Sequence, residues 1–186
     1  MKKVFLVLGK SGSGKDTLLN NILESGELDL KRVVRETSRP RRSYEQDGLQ
    51  YHFKTEKAMR ERMGEYLEWD CFNDWFYATH PEALKDGNNF IMTGSPSTLM
   101  MLKRFSSEIE LNVIFLNVPE DTQFKRLSKR GDSDREVNRR IEADNRDFRS
   151  LDKELVKLGT HAQIIDATLS EKTVFLLGLA FIGGSL

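Results

Sequence analysis

The sequence predicts an α/β fold: a parallel sheet flanked by helices, with a smaller β-rich lobe inserted into it. Three observations carry this. The apolar run Val4-Phe5-Leu6-Val7-Leu8 leads through a glycine-rich segment into residues with helical apolar spacing. Later apolar runs at residues 89–93, 111–118 and 162–166 alternate with helical stretches, the rhythm of strand–helix–strand units with right-handed crossovers. Between these, from about residue 38 to 80, aromatic and alternating residues separated by turn signals read as strands and a hairpin.

Taken in order, residues 4–8 form the first strand, and the next helix carries Leu18, Leu19, Ile22 and Leu23. Val33 and Val34 make residues 31–36 a second strand. The segment Thr37-Ser38-Arg39-Pro40-Arg41-Arg42-Ser43 is a basic loop, because Pro40 pushes its predecessor into extended geometry. Asp47-Gly48 signals a turn, and residues 49–53 alternate as a strand does. Residues 56–63 make a short helix ended near Gly64. Residues 66–72 and 75–79 are hairpin arms around a turn at Asn73-Asp74. A short helix over 81–85 and a turn over 86–88 precede the buried strand 89–93. Ser95 is an N-cap, with Pro96 at the first helical position. Strand 111–118 is followed by a helix that Pro119 opens and that runs to about residue 129. Residues 130–135 are a polar break, 136–158 one long charged helix, 162–166 the last strand and 171–182 the closing helix. The expected organisation is a core domain of residues 1–37 and 81–186, with a lid near 130–145 and residues 38–80 as the inserted lobe.

Bulk properties exclude several classes. Lys and Arg total 29, as do Asp and Glu, so no global field favours nucleic acid or an anionic membrane. The single Cys71 excludes an internal disulfide and suits a reducing compartment. Met1-Lys2-Lys3 before an apolar run imitates a signal peptide, but the run stops at Gly9, too short for an h-region. A soluble, cytoplasmic chain is expected, acting as a monomer or homodimer on small molecules.

The glycine-rich segment reads Gly9-Lys10-Ser11-Gly12-Ser13-Gly14-Lys15-Asp16-Thr17. It follows G-x-x-x-x-G-K-[ST] except at its last place, where Asp16 stands and Thr17 comes one residue later. Glycines let successive N–H groups close around an anion, and the helix N-terminus adds its positive dipole end. Lys15 would reach the outer phosphates of ATP. Asp16 and Thr17 are the candidate Mg²⁺ contacts, the carboxylate acting through a water. A second basic group, Arg39, Arg41 and Arg42 near Tyr51, suits another phosphate, because guanidinium forks bind it bidentately and a phenol adds a hydrogen bond.

These residues resemble the guanylate kinase family, whose members are P-loop nucleoside monophosphate kinases. Arg39, Arg42, Glu45, Gly48, Tyr51 and Phe53 follow its R-x-x-R-x-x-E-x-x-G-x-x-Y-x-F signature; Leu67-Glu68-Trp69 and Tyr77-Ala78-Thr79 are similar to its F-[IL]-E-W and Y-G-[ST] segments. Arg130-Gly131 and Arg140 look like its lid arginines. The resemblance implies ATP-dependent phosphorylation of GMP or dGMP, a step of purine nucleotide metabolism. It implies that Ser38, Arg39, Arg42, Tyr51 and Tyr77 surround the acceptor phosphate, and that Glu68, Thr79 and the position of Ser95 meet the base. Lys15, Arg39, Arg130 and Arg140 would act on the transferring phosphoryl group.

Three places depart from the family pattern. Thr93-Gly94-Ser95 replaces D-[IV]-D, so Ser95 stands where a carboxylate contacts the guanine amino group. Losing a hydrogen bond to a charged acceptor weakens base discrimination about tenfold to hundredfold. Arg35 stands where a serine is common, and Asp16 was noted above. Gly-Lys-Asp in the loop and Gly-Ser after this strand also occur in ribose 1,5-bisphosphate kinases, which makes that sugar phosphate, or another nucleoside monophosphate, the alternative acceptor. A non-catalytic guanylate-kinase-like binding module is the alternative of another class; the intact glycine spacing and Lys15 speak against it.

Overall fold

The computed structural model describes residues 1–186 except Tyr44, Asn73 and Leu158, with Asp152 described by its backbone alone. Strands and helices are numbered along the chain. Strands β1 (Lys2–Gly9), β2 (Lys31–Arg32), β7 (Asn89–Thr93), β8 (Ile109–Asn117) and β9 (His161–Asp166) form one parallel sheet in the order β2-β7-β1-β8-β9. β1 is central and apolar on both faces, as a strand covered on two sides must be. Val4, Leu6 and Leu8 point to one face, where they pack with Met92, Val113 and residues of α3 (Pro96–Leu102) and α6 (Leu151–Lys157). Phe5 and Val7 point to the other, against Leu18, Leu19 and Ile22 of α1 (Lys15–Ser25) and Val174 and Ile182 of α7 (Glu171–Gly183). Each fully buried Leu or Phe contributes on the order of 1.5–3 kcal/mol. The loop leaving β1 is therefore anchored to the most buried strand of the molecule.

A second sheet is built from β3 (Arg35–Thr37), β4 (Tyr51–Phe53), β5 (Glu68–Phe72) and β6 (Trp75–Thr79), in the order β4-β3-β6-β5. β3 pairs in parallel with β4 and antiparallel with β6, and β5 with β6 form a hairpin. Met59 of α2 (Glu56–Glu61), Phe76 and Ala78 make its small core. The remaining helices are α4 (Glu120–Lys129) and α5 (Asp134–Asp147). No helix among the described residues is long and apolar enough to cross a membrane.

Several sequence expectations are corrected. Residues 31–36 are not one strand. β2 belongs to the parallel sheet, the Val33 N–H bonds the Ile91 carbonyl, and β3 then joins the second sheet, where Arg35 meets buried carboxylates. The second sheet thus begins three residues before the boundary expected at residue 38. Residues 136–158 are not one helix. α5 starts at Asp134 under a Ser133 N-cap and ends at Asp147; α6 starts at Leu151. Between them Phe148 stacks on Phe115 with ring centroids 5.9 Å apart, and Leu151 and Leu155 enter the main core. Gly64 does not stop α2; it sits inside a 3-10 turn, Met63–Glu65. The strand expected over 49–53 is confined to Tyr51–Phe53, and the hairpin arm expected from residue 66 begins at Glu68. In the hairpin turn Asn73 lies outside the described residues, as does Leu158 at the end of the long helix expected there.

Candidate functional site

The loop Lys10–Gly14 joins β1 to α1 at the carboxyl end of the parallel sheet, the end at which such sheets bind ligands. Gly12 and Gly14 take φ of 77° and 95°, a region that L side chains rarely occupy. Gly14 caps α1 without a side-chain hydrogen bond, so the first helical N–H groups remain available to an anion. Lys15 donates to the Gly9 carbonyl at 2.6 Å and the Lys10 carbonyl at 3.3 Å, which folds its ammonium into the loop. Burial pulls this ammonium below its ordinary pKa, and Asp16 and Asp144 oppose that. Asp16 and Thr17 are exposed on the first turn of α1. Their carboxylate and hydroxyl oxygens suit a hard cation that keeps most of its water.

The loop is held from behind by residues that sequence reasoning missed. The Ser11 N–H donates to Oδ2 of Asp144 on α5 at 2.8 Å, and the Gln123 amide of α4 donates to the same oxygen. Burial raises the Asp144 pKa, against the Ser11 N–H and Lys15, which favour its charge. Lys10 donates to Asn145 at 2.6 Å, and Arg126 donates to the carbonyls of Gly12 and Ala167. Helix α5, expected to serve as a lid, thus also carries a brace for the phosphate loop. The available signal was spacing: Asp144 falls seven residues after Val137 and three after Ile141, on the helix face those two apolar residues define.

Across the cleft stands the basic loop after β3. Arg39 makes a bidentate pair with Glu45, at 2.6 and 3.1 Å, and lies over the rings of Tyr51 and Phe53. The Arg42 N–H also donates to Glu45, and the Arg41 guanidinium to the Glu45 carbonyl. Glu45 therefore organises the loop that presents the arginines. Tyr51 packs edge-to-face on Tyr77, ring centroids 5.8 Å apart. Burial pushes the Tyr51 phenol up to about 12, so it is a neutral donor at pH 7.

The remaining wall comes from Arg130 after α4 and from Glu136, Arg139 and Arg140 of α5. Arg140 donates from Nε to Glu136 at 2.8 Å and pairs with Asp132 at 3.6 Å; Arg139 also donates to Glu136. Hydrogen bonds from Arg139 and Arg140 hold the Glu136 carboxyl down to about 2. Arg139 also reaches Asp74 in the β5–β6 turn at 3.9 Å, a weak ion pair between α5 and the second sheet.

These pieces enclose one cleft of about 310 Å³. Of the expected site residues, Gly9, Ser11, Gly12, Gly14, Lys15, Asp16 and Thr17 line it from the β1–α1 side, Arg39, Arg42, Tyr51 and Tyr77 from the second sheet and the loop after β3, Ser95 from the start of α3, and Arg130 and Arg140 from the end of α4 and from α5. Lys10 and Ser13 belong to the loop but are not on the wall. Ser38 is also off the wall; its hydroxyl accepts from the Phe76 N–H and joins β3 to β6. Glu68 and Thr79 are fully buried and not on the wall either. Arg35 covers Glu68, one of its nitrogens lying 2.8 Å from each carboxylate oxygen, and Thr79 donates to Glu68 at 2.5 Å. Burial pushes the Glu68 carboxyl up, with Arg35 opposing. Burial alone would lower the Arg35 guanidinium; Glu68 and Asp70 hold it raised. Arg35 and Asp70 are the side chains of this group that reach the cleft.

The chain matches a family model described as guanylate kinase over residues 1–173. It is similar to a protein named guanylate kinase in Mycoplasma genitalium, 28% identical over 184 residues, covering 94% of this chain and 75% of that one. It is 34% identical over 143 residues to one of the same name in Cupriavidus pinatubonensis, covering 72% of this chain and 64% of the relative. In fold it resembles the solved guanylate kinase from Anaplasma phagocytophilum, with a TM-score of 0.64 at 15% identity over 100% of this chain and 87% of that one.

Proposed function

Because the chain belongs to the guanylate kinase family, we propose that it transfers the terminal phosphoryl group of ATP to GMP or dGMP, giving ADP and GDP or dGDP. The observation that supports this is one cleft lined by the Lys15 loop, by Arg39, Arg42, Tyr51 and Tyr77, and by Arg130 and Arg140. Phosphoryl transfer needs in-line positioning and cations around spreading negative charge, and little covalent work from the protein.

On this reading the amides of the loop and Lys15 hold the ATP phosphates. When nucleotide enters, Lys15 exchanges its two carbonyl partners for phosphate oxygens. Arg39 and Arg42, already oriented by Glu45, hold the acceptor phosphate with the phenols of Tyr51 and Tyr77. Arg130 and Arg140 close over the transferring group, Arg140 loosening its hold on Glu136 and Asp132. An arginine brought to the transition state in this way is worth on the order of 10³-fold in rate or more. Closure also excludes the water that would otherwise take the phosphoryl group. A divalent metal, Mg²⁺ here, supplies charge neutralisation of the ATP phosphates when bound; Asp16 and Thr17 would hold it. The inserted lobe is the acceptor-binding part, and the chain works as a monomer or homodimer in the cytoplasm.

The test is a coupled ADP-release assay with ATP and Mg²⁺ against GMP, dGMP, AMP, UMP, dTMP and ribose 1,5-bisphosphate. Turnover on GMP or dGMP well above the rest is the expected result. Turnover on the sugar phosphate alone, or on no acceptor, would overturn the reading.

A further inference from the structure

Two carboxylates lie two residues apart on the same side of β5, and they differ in access. Glu68 is fully buried, and its oxygens are taken by Arg35 and Thr79. Asp70 is 7% exposed and lines the cleft. Its Oδ2 accepts from the Ser95 hydroxyl and lies 3.4 Å from the Thr98 hydroxyl; its Oδ1 lies 3.4 Å from the Arg35 guanidinium. The Ser95 hydroxyl also accepts from the Thr98 N–H as the N-cap of α3, so its own proton is committed to Asp70. This arrangement depends on Gly94, where a Cβ would come within 2.8 Å of both Leu6 and Thr98. The close turn from β7 into α3 is what brings Ser95 up to Asp70.

We propose that Asp70, rather than Glu68, is the carboxylate that reads the acceptor base, and that it accepts a hydrogen bond from the exocyclic amino group of guanine. This rests on the guanylate kinase reading above. An ionised carboxylate offers about four acceptor positions, and three protein donors approach Asp70, which leaves Oδ1 with room for a donor from the cleft. The amino group projects furthest from the purine ring, so it is the donor that a recessed carboxylate can reach. Beside it, the Arg35 Nε is buried with no partner among the described residues. Buried polar groups without partners are rare, and a guanine ring or carbonyl acceptor would satisfy this one. Glu68 is the counter-charge that holds Arg35 in place, and Ser95 is a positioning residue that orients Asp70.

The experiment compares kcat/KM for GMP and for IMP, which lacks the amino group, in the wild type, Asp70→Asn, Ser95→Ala and Glu68→Gln, with Tm measured for each. The wild type is expected to prefer GMP. Asp70→Asn should lower kcat/KM for GMP about tenfold to hundredfold and narrow the GMP:IMP ratio by a similar factor, with the KM for ATP unchanged. Ser95→Ala should narrow the ratio severalfold, and Glu68→Gln should leave it nearly as it was. A merely structural role for Asp70 would lower both nucleotides equally; an unchanged ratio in a folded Asp70→Asn protein overturns the assignment. So does a ratio that collapses in Glu68→Gln but not in Asp70→Asn. Should Asp70→Asn fail to fold, an unchanged ratio in Ser95→Ala overturns it instead. A wild type inactive on both nucleotides would overturn the kinase reading and this assignment together, whereas an active wild type with the wrong ratios overturns the assignment alone.

Discussion

Replacing Arg35 by serine tests the ionic centre of the second sheet. Arg35 bonds both oxygens of Glu68 and approaches Asp70, with the side chains of the first pair 6% and 0% exposed. Removing one partner of a buried ion pair costs about 3–5 kcal/mol, because the other charge stays buried without compensation. Thr79 still donates to Glu68, and Ser95 to Asp70, which argues for the lower end. For a chain of this size each kcal/mol moves Tm by about 2–4 °C, so a fall of about 6–12 °C is expected. The pH dependence has a definite sign. The Glu68 pKa is already raised by burial, and losing Arg35 raises it further. A carboxyl whose folded pKa lies above its unfolded value destabilises the folded state progressively as pH rises through the folded pKa. It exacts nothing below the unfolded value, where both states are protonated. The stability deficit of Arg35→Ser should thus be largest at the alkaline end and shrink as pH falls toward the ordinary glutamate value. Urea denaturation of both proteins across pH 5–8 measures this. A deficit under about 1 kcal/mol at pH 8, or one that does not shrink on acidification, would refute the argument.

Three other perturbations give separate readouts. Lys15→Met should lower kcat at least about hundredfold, the scale of losing one preorganised cationic donor, while KM for GMP changes little; steady-state kinetics decides it. Asp144→Ala leaves the Ser11 N–H and the Gln123 amide without their buried acceptor, so stability should fall by about 1–3 kcal/mol and KM for ATP should rise. An unchanged denaturation midpoint would show that Asp144 does not brace the loop. Asp16→Ser should shift the Mg²⁺ concentration needed for half-maximal rate, and an unaltered metal titration would remove Asp16 from the metal site.

Much of the architecture was legible from local chemistry. Val4 to Leu8 have no polar face, so the run had to be a strand covered on both sides, and the glycines after it had to be a turn. Ser95-Pro96 capped a helix in the structure as the two residues predict. The basic loop, the hairpin and the cleft-lining members of the two phosphate groups also carried recognisable spacing. Harder to see were the changes of partner. Val33 and Val34 favour a strand equally in either sheet, and only pairing with β7 and then with β4 and β6 divides the segment. The apolar spacing of Val137, Ile141, Phe148, Leu151 and Leu155 keeps to one helical face, so no local signal marks the break between α5 and α6 that the structure shows.

The same division runs through the site. The residue types expected for the proposed chemistry were named from sequence: a lysine and glycines in one group, arginines and tyrosines in another, and one carboxylate on β5, Glu68. Access was decided by tertiary structure alone. Glu68 and Asp70 share one face of one strand, and no periodicity distinguishes them. Arg35 lies across Glu68 because a buried carboxylate requires a buried counter-charge, and that contact leaves Asp70, held by Ser95 at the N-cap of α3, as the carboxylate open to the cleft.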